Sequence, residues 1–262
     1  MKQTDPILYH YTSSTVLTSI LARPCLWLSG RWNQNDSNEG RVFGSHFRAL
    51  AAKENVPSDH VDKVLSTLES LDSYICCFSS KGDLLSQWRG YAANATGVSI
   101  GFRRSALVSL ISGDPRVMLR PITYADELAQ LTAETHNVML AMLRSTGAPR
   151  DKFRLSAAKV MWEIKNSAFS EEGETRLIFT HPSGVEPLTT TLKNGATITR
   201  KHRAVDTGIR EYCEIDLTSI MPSAISEVIL GPRSDSHVDV VKRMLCAAGC
   251  TASVYPSTAS YR

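Results

Sequence analysis

Three polar constellations interrupt apolar stretches of the sequence, and their residue types are those that do chemistry. One runs Lys165, Phe169, Glu171-Glu172-Gly173-Glu174-Thr175-Arg176 and leads into the apolar run Leu177-Ile178-Phe179. In an extended segment side chains alternate, so Glu172, Glu174 and Arg176 fall on one face. Carboxylates at that spacing repel, which raises the pKa of one, whereas Arg176 can pair with either and hold it ionised. A charged solvent face at a strand start is the competing reading. Another is Leu8-Tyr9-His10-Tyr11-Thr12-Ser13, where a histidine on an otherwise apolar strand needs partners for two ring nitrogens, as a structural or a ligand-orienting residue. Between them lies Cys77-Phe78-Ser79-Ser80, followed by Leu85, Trp88 and Tyr91 and ending at Gly97. Its aromatic pair at i and i+3 can stack a flat ring and its hydroxyls can hold a sugar or amide, but the same spacing suits a helix turn packed on a core.

The elements that must position these groups read as α+β. An extended start at Ile7–Tyr11 precedes a helix over Ser14–Ala22 that Pro24 ends, then a short strand at Leu26–Ser29 and a polar loop over Gly30–Gly44. A loop of that length invites a functional explanation. Helices are predicted at His46–Asn55 and Ser58–Leu71, the second with Val61, Val64, Leu65, Leu68 and Leu71 on one face. Tyr74–Ser79 and Thr96–Phe102 read as buried strands, and Val117–Tyr124 as an edge strand because of Pro121. Asp126–Ser145 and Asp151–Asn166 have helical spacing and form a helical insertion. Strands resume at Glu174–Thr180, Arg210–Asp216, Ile225–Leu230 and Ala252–Tyr255, with a last helix over Ser236–Ala248 closed by Gly249.

Composition narrows the classes. At 262 residues the chain suits one large domain or two small ones, and its 42% hydrophobic and 21% charged content exclude wholesale disorder. A net charge of +3 is too small for nucleic-acid or membrane binding through the overall field. Apolar stretches such as Val138–Leu143 are far short of the roughly 20 residues that cross a bilayer, so no membrane partner is expected. The N-terminal Met-Lys-Gln-Thr-Asp-Pro lacks a signal-peptide core, which points to a cytoplasmic, reducing setting without disulfides. The six cysteines have no zinc-ribbon spacing and read as small buried hydrophobes. No Walker loop, dinucleotide-binding glycine fingerprint, HExxH helix or GxSxG elbow is present.

Taken in order, these stretches resemble DUF2971, a family of uncharacterised bacterial proteins. The matching text is Leu8-Tyr-His-Tyr-Thr-Ser, Leu17 with Ile20-Leu21, Leu26-Trp-Leu-Ser, Asn35-Asp36 with Glu39, Cys77-Phe-Ser, Trp88 with Tyr91-Ala92, and Gly97 to Phe102. It closes with Lys165, Phe169, Glu172, Glu174 and Arg176, Phe169 standing where the family usually has tryptophan. The resemblance spans most of residues 7–180 and implies one domain over 1–262, with a helical insertion at about 126–166.

A more distant resemblance, carried by motif order, is to the ADP-ribosyltransferase fold with its DarT-like and RNA phosphotransferase-like branches. It implies a split β-core with flanking helices that holds NAD in a cleft. On that resemblance His10 hydrogen-bonds a ribose, Thr12 supports it, Ser79 matches a middle serine, and Tyr91 stacks on nicotinamide. Glu174 takes the catalytic position of a Glu-x-Glu pair and Glu172 the first. Arg176 pairs with the NAD pyrophosphate or keeps the glutamates ionised. An ionised carboxylate beside the ribose stabilises the charge that develops at the anomeric carbon as nicotinamide leaves. The second carboxylate deprotonates the acceptor. No metal is implied.

The implied function is NAD-dependent ADP-ribosylation of a macromolecular acceptor, whether protein, DNA or RNA, by a bacterial toxin or antiphage defence effector with an antitoxin or regulatory partner. Gly30–Gly44 is then the acceptor-facing loop. The run Arg200-Lys201-His202-Arg203 hints at a polyanion, but it reads as a solvated loop and is not counted as a nucleic-acid site. Two alternatives stand beside this: a non-catalytic NAD or ADP-ribose sensor, and a metal-dependent nuclease-type toxin in which Asp36, Glu39, Glu172 and Glu174 gather a divalent ion.

Overall fold

A single long strand organises the molecule. The structure, a computed structural model, describes residues 4–31, 41–145, 155, 158, 160–186 and 188–261. That strand, β3 (Leu71–Ser79), pairs along its whole length on one edge with β8 (Glu174–Pro182), from Leu71↔Pro182 to Ser79↔Glu174. Its other edge is shared. β2 (Cys25–Gly30) meets it only at Ser29↔Ile75 and Gly30↔Tyr74, and β1 (Ile7–Thr12) only at Tyr9↔Ser79. The sheet therefore forks at residues 76–78 of β3. One branch continues from β1 through β4 (Val98–Arg103), β12 (Ile225–Leu230) and β13 (Ser253–Pro256). The other continues from β2 through β11 (Gly208–Asp216), β10 (Thr197–Val205) and β9 (Thr189–Thr191). β5 (Val117–Pro121) adds to the outer edge of β8, and all of these pairs are antiparallel except β12 with β13. The class is α+β with one large sheet.

The two faces of the sheet are covered differently. Helices α1 (Ser14–Ala22), α5 (Arg104–Ile111) and α7 (Val238–Ala247) bury Leu17, Ile20, Leu107, Leu110, Val241 and Leu245 in the main core with Phe78, Ile100, Phe102, Leu177 and Phe179. Each of these helical residues lies three or four positions from its companion, the spacing of one helix face. Ser13 caps α1 by accepting from the Val16 amide at 3.3 Å. A second core lies among α2 (Arg41–Lys53), α3 (Ser58–Glu69) and α6 (Ala133–Leu143), where Phe43, Phe47, Leu50, Val64, Leu68, Met139 and Met142 meet. The inserted helical segment thus packs on the helices that precede β3, and Trp162 seals it against Ile75 and Ile178 of the sheet.

Helix α4 (Leu85–Tyr91) is short and has no side-chain cap of its own, so neighbours fix it. The Tyr11 hydroxyl accepts from the Leu84 amide at 2.9 Å and donates to the Lys81 carbonyl at 2.7 Å. Trp88 is fully buried edge-on to Tyr11, and its Nε1 donates to Asp83 at 2.6 Å. Asp83 also accepts from the Ser257 hydroxyl, the Thr258 amide and the Thr258 hydroxyl at 2.5, 2.7 and 2.8 Å, which straps the C-terminal residues over α4. Burial alone would raise the Asp83 pKa, but these donors outweigh it and hold the carboxyl below its ordinary range. Asp83→Ala leaves the buried indole N–H without its acceptor, so a loss of about 1–3 kcal/mol is expected. A lowered urea midpoint at unchanged slope reads it.

Several sequence expectations are corrected. Residues 41–44 begin α2 instead of ending the Gly30–Gly44 loop, and residues 32–40 lie outside the described residues. The predicted helix over Asp151–Asn166 gives way before its end: Ile164–Lys165 form β7, parallel to β6 (Thr123–Tyr124), because the chain must return alongside β8. Arg200–Arg203 is no loop; it lies within β10, paired to β11 from Ile198↔Ile215 to Val205↔Gly208. All six cysteines are free thiols, and Cys76, Cys213 and Cys250 are buried as expected, whereas Cys246 is exposed. Among the described residues no helix is long and apolar enough to cross a membrane.

Candidate functional site

Where β1 and β2 part from β3, the strand edge needs something else to bond. His10 supplies it: its Nδ1 lies 3.1 Å from the Cys77 carbonyl, across the fork. A carbonyl only accepts, so Nδ1 carries the proton, and burial pushes the imidazole pKa below its ordinary value. The ring is therefore neutral, with Nε2 left as an acceptor. A cavity of about 460 Å³ opens over the fork, within the range of ligand sites. His10, Tyr91, Glu172 and Glu174 line it, together with Trp27, Cys77, Gln87, Lys165, Phe169 and Arg203.

The carboxylate end of the cavity is built by a turn and a two-residue strand. β7 lies against β6, and the chain then makes a 3-10 turn over Ser167–Glu172, capped by the Asn166 side chain, which accepts from Ala168 N at 2.9 Å. Gly173 reverses it in the left-handed region, at φ 53°, where a Cβ would also stand 2.3 Å from the Ser80 hydroxyl. The turn is tied to the end of β3 by Ser80 N to the Gly173 carbonyl at 2.9 Å and Ser79 Oγ to the Glu172 carbonyl at 2.6 Å. Tyr124 on β6 accepts from the Glu174 amide at 2.8 Å.

These constraints aim both carboxylates at one ammonium. Lys165 Nζ donates to Glu172 at 2.7 Å and to Glu174 at 3.0 Å, and lies 4.6 Å from the centre of the Phe169 ring. Arg176 grips Glu174 from behind through Nε at 2.6 Å and Nη2 at 3.2 Å, while its Nη1 donates to the Trp162 carbonyl at 3.0 Å. Lys165, Glu172, Glu174 and Arg176 are all buried, so the cluster is a balanced set of two anions and two cations removed from water, not a charged solvent face. Burial pushes the Glu174 pKa up, but the Arg176 charge and hydrogen bonds, with Lys165, outweigh it and bring the value to about 2. Burial opposes the charged form of Lys165 as well, yet the two glutamates raise its pKa above the ordinary value.

A pH dependence follows from these directions. Because the folded pKa of Glu174 is depressed from 4.5 to about 2, its stabilising contribution is whole above pH 4.5 and is lost as the pH falls through about 2. Lys165 contributes fully below 10.5 and loses that contribution as the pH rises beyond it. Because burial also lowers the His10 pKa, the urea midpoint should decline as the pH falls through 6.5, and the Glu174 contribution should appear as a further fall below about 4.5. A Glu174→Gln protein whose midpoint falls below pH 4.5 as steeply as that of the wild type contradicts the pairing.

Of the residues named from the sequence, four converge on the cavity and three do not. Thr12 is buried in the β1–β4 pairing opposite Val98, away from the lining. Ser79 is buried, and its hydroxyl donates to the Glu172 carbonyl and accepts from Lys81 N at 3.0 Å, so it shapes the turn. Arg176 is 1% exposed behind Glu174, which corrects its reading as a pyrophosphate ligand and retains its role in holding a glutamate ionised. Glu172 and Glu174 do share a target, but through the turn at Gly173 and not through strand alternation. Trp88 belongs to the core, whereas Tyr91 is 42% exposed at the cavity. Arg203 and Gln87 also line the cavity and Lys165 bridges its two carboxylates, placements that residue type alone does not signal. Asp36 and Glu39 lie outside the described residues, and among the described residues no three His, Cys, Asp or Glu side chains are grouped to hold a metal ion.

Fold and site together define an α+β protein with a forked sheet and a cavity ending in paired, buried carboxylates. Residues 87–177, from α4 to the first residues of β8, match the model of DUF2971, a family described as proteins of unknown function, which bears out the family resemblance over that stretch. Trp88, Tyr91, Lys165, Glu172, Glu174 and Arg176 all fall within it. No curated protein and no solved structure matches the chain.

Proposed function

We propose that this protein cleaves the nicotinamide–ribose bond of NAD and transfers ADP-ribose to a macromolecular acceptor. The observation that carries the reading is the placement of His10, Tyr91 and the ionised Glu174 around one cavity at the fork of the sheet. Tyr91 presents an exposed ring for a flat heteroaromatic group. Neutral His10, its Nδ1 engaged by Cys77, offers Nε2 to a ribose hydroxyl. Glu174 is held ionised in a site shielded from water, where a carboxylate opposes developing positive charge at an anomeric carbon. As the C–N bond breaks, its electron pair leaves with neutral nicotinamide; the acceptor then bonds the anomeric carbon and its proton passes to Glu172. Phe169 and Trp27 supply apolar walls.

One observation favours a second reading. Both Glu174 oxygens already accept from Arg176, and one of them also from Lys165. Such neutralisation suits a site that binds the nucleotide without turning it over. Incubation with NAD labelled in the adenylate part, with and without a bacterial lysate, separates the two. Transfer of label to protein or nucleic acid supports the transferase; saturable binding with no nicotinamide released supports the sensor, and absence of binding contradicts both.

A further inference from the structure

Within the basic run on β10, three side chains have acidic partners and the fourth does not. Arg200 pairs with Asp72 at 2.9 Å and with Glu186, Lys201 pairs with Glu214, and His202 lies 3.3 Å from Glu211. Arg203 instead lies with its guanidinium carbon 5.1 Å from the centre of the Trp27 ring, and it makes no hydrogen bond or ion pair among the described residues. The indole beneath it is fixed by its Nε1 bond to Glu214 at 3.1 Å and by Tyr212, whose ring centre is 4.6 Å away. A guanidinium held over a ring and bound to no acceptor leaves its N–H groups available to phosphate oxygens.

Arg203 also occupies a particular place. It lines the main cavity, and with Ser29 it lines an adjoining cavity of about 260 Å³ whose wall includes Thr207, Arg210 and Tyr212. Glu211 is on that wall too, but Tyr74 donates to it at 2.7 Å and His202 faces its other oxygen. In the sheet, β8 and the branch carrying β10 lie on opposite edges of β3. The main cavity therefore takes its Lys165-bridged carboxylates, Glu172 and Glu174, from one side and Arg203 from the other.

We propose that the Arg203 side is a phosphate subsite, so that the cavity selects a ligand that brings a phosphate to the guanidinium while its glycosidic end lies at the carboxylates. Resting on the NAD reading above, this assigns the substrate class as phosphorylated pyridinium nucleotides in preference to the unphosphorylated nucleoside. The diphosphate of the dinucleotide would occupy the junction between the two cavities, with the Ser29 hydroxyl and Arg210 beside Arg203.

Calorimetric titration of the wild type and of Arg203→Gln with nicotinamide mononucleotide, nicotinamide riboside and inorganic pyrophosphate tests it. Arg203 is exposed, and an unchanged melting temperature confirms that the variant is folded. The mononucleotide should bind the wild type roughly 10- to 100-fold more tightly than the riboside, the range expected for hydrogen bonds to a charged group. Arg203→Gln should erase most of that advantage, leave riboside binding unchanged and abolish displacement of the mononucleotide by pyrophosphate. Equal mononucleotide affinity in the two proteins overturns the subsite while leaving the NAD reading standing. Arg203-dependent pyrophosphate binding with no affinity for either nicotinamide compound supports the subsite and overturns the NAD reading. No binding of any of the three overturns both.

Discussion

Arg176→Met is expected to destabilise the protein by about 3–5 kcal/mol, the cost of stranding a buried charge. The guanidinium is 1% exposed and provides two of the hydrogen bonds to Glu174 together with one to the Trp162 carbonyl. Without it, Glu172 and Glu174 share Lys165 alone, and the buried cluster carries a net negative charge in a medium that solvates it poorly. The urea midpoint reads the loss. A charge-balanced double replacement, Arg176→Met with Glu174→Gln, should recover much of it, because Lys165 and Glu172 remain as a matched pair. A single variant as stable as the wild type contradicts the described pairing.

On the proposed chemistry, Glu174→Gln is expected to lower nicotinamide release by roughly 10²- to 10³-fold, the range seen when one preorganised electrostatic group is removed from an active site. The substitution keeps the shape of the side chain and removes its charge. It also leaves Arg176 with a neutral partner, so lost activity alone does not separate chemistry from folding. The double replacement above makes the separation, since its cluster is neutral again. An inactive double variant whose midpoint approaches that of the wild type assigns the loss to chemistry.

The elements legible in the sequence were those whose signal is local. Ser14–Ala22 and Ile225–Leu230 have the predicted bounds, one set by a serine cap and a following proline, the other by a short β-branched run. β10 was hidden because its charged residues find their carboxylates on β3, on β11 and in the chain before β9, partners that sequence distance conceals. β7 was hidden for a related reason: two residues carry no periodicity, and only their pairing with Thr123 and Tyr124 makes them a strand.

The site divides the same way. His10, Tyr91, Glu172 and Glu174 could be singled out by residue type within apolar or aromatic surroundings. Their convergence on Lys165 and the cavity depends on a fork in the sheet and a left-handed turn, and Gly173 between two glutamates was the one local sign of that turn. Arg203 gave no local sign at all, since four consecutive basic residues read alike until their partners are placed.

The most direct test of the proposed chemistry is the rate of nicotinamide release from NAD by the wild type and by the Arg176→Met/Glu174→Gln protein, with folding of both verified by urea titration. The proposed mechanism predicts release by the wild type and a fall of at least 10²-fold in the folded double variant. Equal release by the two proteins, or none from the wild type with its acceptor-bearing lysate present, contradicts it.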